Sequence, residues 1–522
     1  MRRRGHRRRH RRPPPIHSNP NLKRLADLLT AVPAQLIAGT RDVSVHAVVA
    51  DSRLVEPGDV FVCLRGYRTE GGELRADRHE FIRAAIERGA TALVVEREVA
   101  APHGVTVVRV PDCWSALAAM ACAFYDQPSL ALTVVGVTGT SGKTSTTYFI
   151  ESVLAAAGIR VARFGTIEYR FGDTVLGAAQ TTPEAPELQR LLRMAVDRGF
   201  QAVVMEVSSH ALELRRVGGI AFDVAVFTNI SQDHLNFHPD MHHYLHAKGR
   251  LFEELGSGGK KATAVVNRDD RAATHIIAVN RGALLTFGVE VAADVSAHDV
   301  HSGLHGTRFL ARTPAGEVSV QISHLGGFHV HNALAAVGVG VALRLDAALI
   351  AQGLAATPPV PGRFELIDCG QDFKVAVDYA HKPDALERLL HSARALRPRR
   401  IITVFGCGGD RDRGKRPLMG RIAAQLSDLV IITSDNPRSE PPERIIEEIA
   451  AGTLGVSDRA GHVSTEPDRR RAIESAVALA QSDDIVLIAG KGHEPDQLFA
   501  DRRIHFDDRE EARRAVRRRL FN

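Results

Sequence analysis

The run Gly136-Val137-Thr138-Gly139-Thr140-Ser141-Gly142-Lys143-Thr144-Ser145 combines the groups that hold a polyphosphate. Glycines let the backbone turn so that several N–H groups and a helix N-terminus face an anion. Lys143 can then reach the outer phosphates and the Thr144 hydroxyl can hold Mg²⁺. An apolar, strand-like stretch from Leu132 to Val137 precedes the run and a helix-like stretch follows. That context points to a nucleoside triphosphate. The strict spacing wants a glycine five positions before Gly142, but Val137 stands there and the glycines fall at 136 and 139.

Further polar clusters follow apolar runs. Glu206 opens Glu206-Val207-Ser208-Ser209-His210-Ala211-Leu212 and is placed like an acidic magnesium ligand beside a phosphate loop. Asn229-Ile230-Ser231-Gln232-Asp233-His234 follows another strand and brings His234 toward the same ions, although histidine is an unusual Mg²⁺ ligand. Lys248, in Tyr244-Leu245-His246-Ala247-Lys248-Gly249-Arg250, reads on its own as an ordinary helix lysine. Nearer the C-terminus come Asp378 with His381, Gly406-Cys407-Gly408-Gly409-Asp410-Arg411, Asp435-Asn436-Pro437-Arg438 and Gly490-Lys491-Gly492-His493-Glu494. Glycine-rich loops can be no more than tight turns. Four polar loops at strand ends in one segment favour a binding site, and the forked donors of Arg411 and Arg438 suit an acidic substrate.

The elements that position these residues alternate in type along the chain. Between about Asn21 and Gln127, short runs such as Ala47-Val48-Val49 and Val60-Phe61-Val62 alternate with helix-like stretches such as Phe81 to Arg88, giving a small α/β domain. From Leu130 to about Pro359, strands end at the phosphate loop, at Glu206 and at Asn229, as in a parallel sheet whose site lies at the strand carboxyl ends. The linker Thr357-Pro358-Pro359-Val360-Pro361-Gly362 precedes a doubly wound α/β segment with strands near Val375–Val377, Ile401–Val404, Leu429–Ile432 and Ile485–Ile488. The expected division is an arm over 1–20 and domains over 21–128, 129–359 and 360–522, in keeping with 522 residues being too many for one core.

Composition narrows the class. The net charge of +6 is misleading, because the first twelve residues carry eight arginines and no acid; without them 59 basic residues face 61 acidic ones. The basic arm, ending in Pro13-Pro14-Pro15, is too polar to fold. It reads either as an attachment to nucleic acid or an anionic membrane surface, or, the favoured reading, as an extension without a role. No apolar core follows the arginines, so no secretory signal is expected. No apolar run approaches the roughly 18 residues of a membrane span. The five cysteines, Cys63, Cys113, Cys122, Cys369 and Cys407, are scattered and form no CxxC pair, which argues against disulfide and zinc frameworks and for a reducing cytoplasm.

Taken in order, Asp51-Ser52-Arg53, Gly139 to Thr144, Thr181-Thr182-Pro183-Glu184, Glu206 to Leu212, Pro361-Gly362-Arg363, Asp378-Tyr379-Ala380-His381 and Gly490 to Glu494 resemble the Mur ligase family. The likeness is to the branch that adds the third amino acid to a UDP-N-acetylmuramoyl dipeptide, and it covers nearly all the chain after the arm. It implies a three-domain α/β architecture: a small N-terminal domain, a central P-loop ATPase domain and a C-terminal Rossmann-like domain. It also implies ATP-dependent amide formation. The D-glutamyl γ-carboxylate of UDP-N-acetylmuramoyl-L-alanyl-D-glutamate attacks the γ-phosphorus, and an amine displaces phosphate from the acyl phosphate. Phosphorylation gives a poor acyl donor a good leaving group while Lys143 and magnesium neutralise charge.

On the same resemblance, Lys143, Lys248 and His210 are the catalytic groups. Gly139, Thr140, Ser141, Gly142, Lys143, Thr144 and Ser145, with Asn332, Arg363 and Asp378, hold ATP. Thr144, Glu206, His234 and Lys248 hold magnesium, Lys248 as a carbamate formed by CO₂ on its neutral amine. Ser52, Tyr67 (with Arg68 and Thr69), Thr181, Thr182, Ser208 and Arg216 face the UDP-muramoyl dipeptide. Arg411, Asp435, Asn436, Pro437, Arg438, Gly490 and Glu494 form the amino-acid pocket. Asp435-Asn436-Pro437-Arg438 looks like the pattern for meso-diaminopimelate, whose second carboxylate a guanidinium fork would pair while repelling the ammonium of L-lysine. Two departures stand out: the family's Gly-Phe-Asn reads Gly327-Phe328-His329, with Asn332 retained, and Asn236 stands where related chains often show Asp. Alternatives are an L-lysine-adding ligase, a folylpolyglutamate synthase-type enzyme, an inactive binding paralogue, and a nucleic-acid-associated P-loop protein, the last disfavoured. Closure of the third domain over ATP is expected.

Overall fold

The computed structural model describes residues 22–68, 74–100, 103–303, 306–456 and 462–521; the arginine arm and Thr69 lie outside them. It forms two compact bodies. One takes the chain to Ser296 with Arg312–Gly316 and Leu334–Gly353, the other Ala297–Ala311, Glu317–Ala333 and Leu354 onward.

The first body contains two large sheets, besides the short pairs Lys23–Arg24 with Ser44–Val45 and Tyr67–Arg68 with Leu74–Arg75. In the N-terminal one the strands run Gln35–Ala38, Thr106–Arg109, Ala92–Val95, Val60–Val62, Val48–Val49, parallel except for Gln35–Ala38 at the edge. The Val/Leu/Phe runs at its centre are buried, as continuous apolar strands covered on both faces must be. The helix Cys113–Phe124 starts where the Asp112 carboxylate accepts from the N–H groups of Trp114 and Ser115. It packs on the helix Ala185–Asp197, with Ala118, Ala121 and Ala185 at the contact.

The second sheet has eleven strands, of which the first eight run Thr174–Gly177, Glu168–Phe171, Val161–Phe164, Ala202–Glu206, Thr133–Thr138, Val224–Phe227, Thr263–Asn267, Ala283–Gly288. From Val161–Phe164 to Ala283–Gly288 it is parallel. Its register matters for chemistry: Val137 stands opposite Glu206 and Thr138 opposite Phe227, so three strands end side by side. The residues just past them, Gly139, Ser208 and Asn229, therefore share one rim. Val137 is buried in this ladder, and a Cβ on Gly136 would lie 2.7 Å from the Phe222 ring. The unusual glycine spacing thus has a packing cause: Gly136 makes room for Phe222 within the strand, and Gly139 makes the turn.

In the second body the order is Glu365–Leu366, Lys374–Asp378, Ile485–Ala489, Ile401–Phe405, Leu429–Thr433, His462–Glu466, parallel except for the first edge strand. One face buries Leu386, Leu390, Met419, Ile445 and Ile449, the other Phe373, Ile473, Ala476 and Val516. Helices on both faces make it doubly wound. The chain has a three-domain α/β architecture, with one principal sheet in each of three successive segments. Among the described residues no helix is long and apolar enough to cross a membrane.

Candidate active site

The phosphate loop joins the strand Thr133–Thr138 to the helix Lys143–Ala156. Gly139 has φ +146°, and a Cβ there would stand 1.9 Å from Thr228 Oγ1; Gly142, at φ +88°, sits at the helix N-cap. Both positions need glycine. Asn229 latches the loop: its carbonyl accepts from Thr140 N (2.8 Å), its Oδ1 from Ser141 N (3.0 Å), and its Nδ2 donates to Ser141 O (3.1 Å). The Thr140 hydroxyl meets Tyr244 OH at 3.0 Å. Lys143 Nζ donates to Gly139 O at 2.8 Å and Thr140 O at 3.0 Å, so the ammonium lies over the loop. Thr144 and Ser145 are buried at the start of the helix.

Glu206 joins this loop to a second cluster. Its Oε1 accepts from the Thr144 hydroxyl (3.0 Å) and from Thr166 N (2.9 Å), and its Oε2 from the Thr166 hydroxyl (3.1 Å). The Thr166 hydroxyl also meets Thr181 Oγ1 at 3.1 Å. Thr182 donates to the Glu206 carbonyl (2.8 Å) and accepts from Ser208 N (3.1 Å), while Arg216 donates to the Thr182 carbonyl at 3.2 Å. Arg216 also pairs with Glu184. Ser208 caps the short helix Ser209–Glu213, accepting from Ala211 N. A hydroxyl and a carboxylate beside a phosphate loop are hard oxygen donors, the set that suits Mg²⁺. Thr181, Thr182, Ser208 and Arg216 are brought together, one residue from that carboxylate.

Lys248 lies on the helix Met241–Glu253, 1% exposed. Its Nζ donates to Gly139 O at 2.8 Å and sits 4.4 Å from the centre of the Tyr244 ring. His234, at φ +54°, pairs with Asp233 and meets the His210 ring edge-on at 4.7 Å. His210 is fully buried and also stacks on Phe237 at 4.1 Å. Burial, reinforced by His234 and His238, pushes its imidazole down to about 2, so the ring is neutral at physiological pH.

Ser52 and Tyr67 lie in the N-terminal segment, Tyr67 in the short strand Tyr67–Arg68 paired with Leu74–Arg75. Ser52 begins a short 3₁₀ turn capped by Asp51, and the Tyr67 ring meets Trp114 edge-on at 5.0 Å.

The remaining candidates belong to the second body. Arg363 stacks 4.5 Å over Tyr379, and the Asp378 carboxylate accepts from Phe364 N (2.7 Å) and Ala380 N (2.8 Å). Burial pushes Asp378 up, while Arg363 opposes the shift. Asn332 is buried on the helix Phe328–Ala342, one turn beyond His329, whose ring packs on Phe328 and His324.

The amino-acid loops converge tightly. Cβ atoms on Gly406 and Gly409 would lie 2.1 Å from Thr433 O and 1.8 Å from Pro437 O, and one on Gly490 2.6 Å from Asp435 Oδ2. Arg438 Nη1 donates to Gly409 O at 2.9 Å. Asn436 Nδ2 donates to Glu494 Oε2 at 2.8 Å, and the buried Lys491 ammonium reaches Glu494, Asn436 Oδ1 and Asp496 O. Arg416, 0% exposed, forks onto Glu440 and Glu448 and donates to Gly408 O. Arg411 is exposed at the rim. Asp435, Asn436, Pro437, Arg438, Gly490 and Glu494 thus form one cluster, while Arg411 donates to the adjacent Asp410 O.

Thr166, Asn229, Tyr244 and Lys491 carry no role in the sequence reading. Thr166 was within reach of the same strand-end rule, since Gly165-Thr166 directly follows the strand Val161–Phe164. Lys491 lay within the strand-end loop Gly490–Glu494 already singled out, whereas Tyr244, on the helix Met241–Glu253, offered no such signal.

Comparison with known proteins places the whole described chain. Three family models match: "Mur ligase family, catalytic domain" over 44–125, "Mur ligase middle domain" over 137–340, and "Mur ligase, glutamate ligase domain" over 362–492. The chain is 44% identical over 510 residues to the UDP-N-acetylmuramoyl-L-alanyl-D-glutamate--2,6-diaminopimelate ligase of Geobacter metallireducens, covering 95% of this chain and 98% of that one. It is 44% identical to the ligase of the same name from Geobacillus thermodenitrificans, covering 95% and 100%. A solved structure of a UDP-N-acetylmuramoyl-L-alanyl-D-glutamate--2,6-diaminopimelate ligase superposes with TM-score 0.69 at 32% identity, covering 96% and 100%. The phosphate loop, the Glu206 cluster and the converging C-terminal loops are therefore those of a chain that belongs to the Mur ligase family.

Proposed function

We propose that the protein is an ATP-dependent ligase that joins meso-2,6-diaminopimelate to the D-glutamyl γ-carboxylate of UDP-N-acetylmuramoyl-L-alanyl-D-glutamate, a step of peptidoglycan synthesis. The observation that carries this reading is the position of Glu206. One carboxylate oxygen meets the phosphate-loop hydroxyl of Thr144, while the backbone and neighbours of the same residue hold Thr182, Ser208 and Arg216. This supports the reading, because a nucleotide site at the loop and an acceptor site beside it would be contiguous, as phosphorylation of a carboxylate requires.

Each residue has a task in that reaction. The loop N–H groups and Lys143 receive the phosphates and offset the charge that develops on the transferred group. Arg216, with the hydroxyls of Thr181, Thr182 and Ser208, orients the acceptor's carboxylate in line with the γ-phosphorus, and Ser52 and Tyr67 hold the UDP end. Magnesium, when held by Thr144 and Glu206 with His234 nearby, neutralises phosphate charge. Lys248, as a carbamate, offers an oxygen in place of an ammonium. Asn332, Arg363 and Asp378 contact the nucleotide. Arg411 and Arg438 pair the diamino acid's distal carboxylate, with Asp435, Asn436, Pro437 and Gly490 shaping the pocket and Glu494 receiving an ammonium. The substrates are small molecules, and five cysteines without a disulfide accord with a cytoplasmic setting.

The test is a two-amine comparison. Purified protein with ATP, Mg²⁺ and the UDP-dipeptide should release ADP and phosphate and form the tripeptide with meso-diaminopimelate, and lose most turnover with L-lysine. Equal use of both amines would overturn the specificity assignment, and no amide product with either would overturn the reaction.

A further inference from the structure

The loops of the amino-acid pocket are fastened from behind by one buried arginine. Arg469 opens the helix Arg469–Leu479 and is 1% exposed; its Nε and Nη2 fork onto the two oxygens of Asp508 at 2.7 Å each. Asp508 is itself fully buried at the start of the helix Asp508–Phe521. The guanidinium has two further bonds, from Nη1 to Ser434 O at 3.1 Å and from Nη2 to Ala489 O at 2.9 Å. Ser434 and Ala489 immediately precede Asp435 and Gly490. A single side chain therefore grips the backbone at the root of both loops, and the Ser434 hydroxyl ties the same root to Pro467 O at 2.8 Å.

Stability alone does not account for this choice of residues. A buried ion pair is often matched or bettered by apolar side chains of similar volume, because desolvating two charges costs several kcal/mol. The helix already has its apolar anchor in Ala472, Ile473, Ala476 and Val477. What apolar residues cannot supply is a set of directional donors to two carbonyls at once. The spacing so fixed is tight, since Gly490 leaves no room for a methyl group against Asp435, and Asn436 bonds to both Glu494 and Lys491 across the same gap. A small shift of either root would part Asp435–Arg438 from Gly490–Glu494.

We propose that Arg469, held by Asp508, is a positioning residue that sets the separation of these two loops and through it the recognition of the amine substrate. The inference rests on the assignment of these loops to the diaminopimelate site. R469K keeps the charge but loses the fork, D508N leaves the buried guanidinium unpaired, and R469M/D508L removes both charges together, which costs the fold less than breaking the pair from one side. In the full-length enzyme each should raise the KM for meso-diaminopimelate about 10–100-fold and narrow its preference over L-lysine, while the KM values for ATP and the UDP-dipeptide stay unchanged. A merely structural staple would instead lower the melting temperature and weaken all three substrates alike. That result, or a folded double variant with wild-type KM and amine preference, would overturn the proposal. Wild-type protein assayed in parallel separates the two claims. Absence of diaminopimelate turnover there counts against the substrate assignment, whereas normal turnover with unaltered variants counts against Arg469 alone.

Discussion

Lys143 and Lys248 donate to the same oxygen, the carbonyl of Gly139, at 2.8 Å each. Two ammonium groups converging on one carbonyl repel each other. Lys248 is the more deeply buried of the two and lies against the Tyr244 ring. A neutral buried amine is the form that adds CO₂, and the resulting anion would face Lys143 favourably.

A first prediction follows from that pair. In bicarbonate buffer the intact protein should carry a ¹³CO₂-derived carbamate signal by NMR, absent in Lys248→Gln. The variant should lose about 10²–10³ in kcat, comparable to removing one electrostatic stabiliser, and recover part of it with added short carboxylates. A variant as active as wild type would remove the carbamate from the reaction.

Gly139→Ala tests the loop itself. The new methyl would stand 1.9 Å from Thr228 Oγ1 at a φ of +146°. The expected cost is about 1–3 kcal/mol of strain, expressed as a loosened loop. ATP binding by calorimetry should weaken far more than binding of the UDP-dipeptide; equal weakening of both would place the damage outside the phosphate site.

Arg438→Ala should raise the KM for meso-diaminopimelate by about 10-fold or more, since a lost charge-assisted bond is worth about 1.5–3 kcal/mol. The KM for the UDP-dipeptide should not move. An unchanged diaminopimelate KM would remove Arg438 from the pocket.

The second body contains buried histidines with an acid liability. Burial pushes His324 down to about 4 and, with Arg363 adding to the effect, His493 down to about 3, from an ordinary value of 6.5. The unfolded chain therefore binds more protons than the folded one below pH 6.5. Stability is full above that pH and falls progressively as the pH drops toward 4 and 3, at about 1.4 kcal/mol per pH unit for each histidine. Urea midpoints measured from pH 7.5 down to 5 should decline, and H324Q/H493Q should flatten the slope. A double variant with the wild-type slope would contradict this.

Much of the architecture was legible because apolar runs alternate with polar strand ends. Val203–Glu206, Val224–Phe227, Ile401–Val404 and Ile485–Ile488 emerge as the strands their sequences suggest. Glu206 was legible as an acid closing a buried strand beside Ser208-Ser209-His210, where a lone strand-end acid would more often be a solvated charge. Lys248 was not, because nothing in Ala247-Lys248-Gly249 reveals that its helix turns the amine toward Gly139. The latching role of Asn229 and the grip of Arg469 escaped for a related cause: their partners lie 88 and 20 to 39 residues away, and pairing over such separations is a property of the folded sheet. The glycine at 136 looked like part of a phosphate motif and is a packing residue against Phe222.

The central claim is that the peptide's free γ-carboxylate is phosphorylated before the amine arrives. With ¹⁸O in that carboxylate, mass spectrometry of the released inorganic phosphate should find one labelled oxygen for each tripeptide formed. Tripeptide accumulating alongside unlabelled phosphate would contradict it.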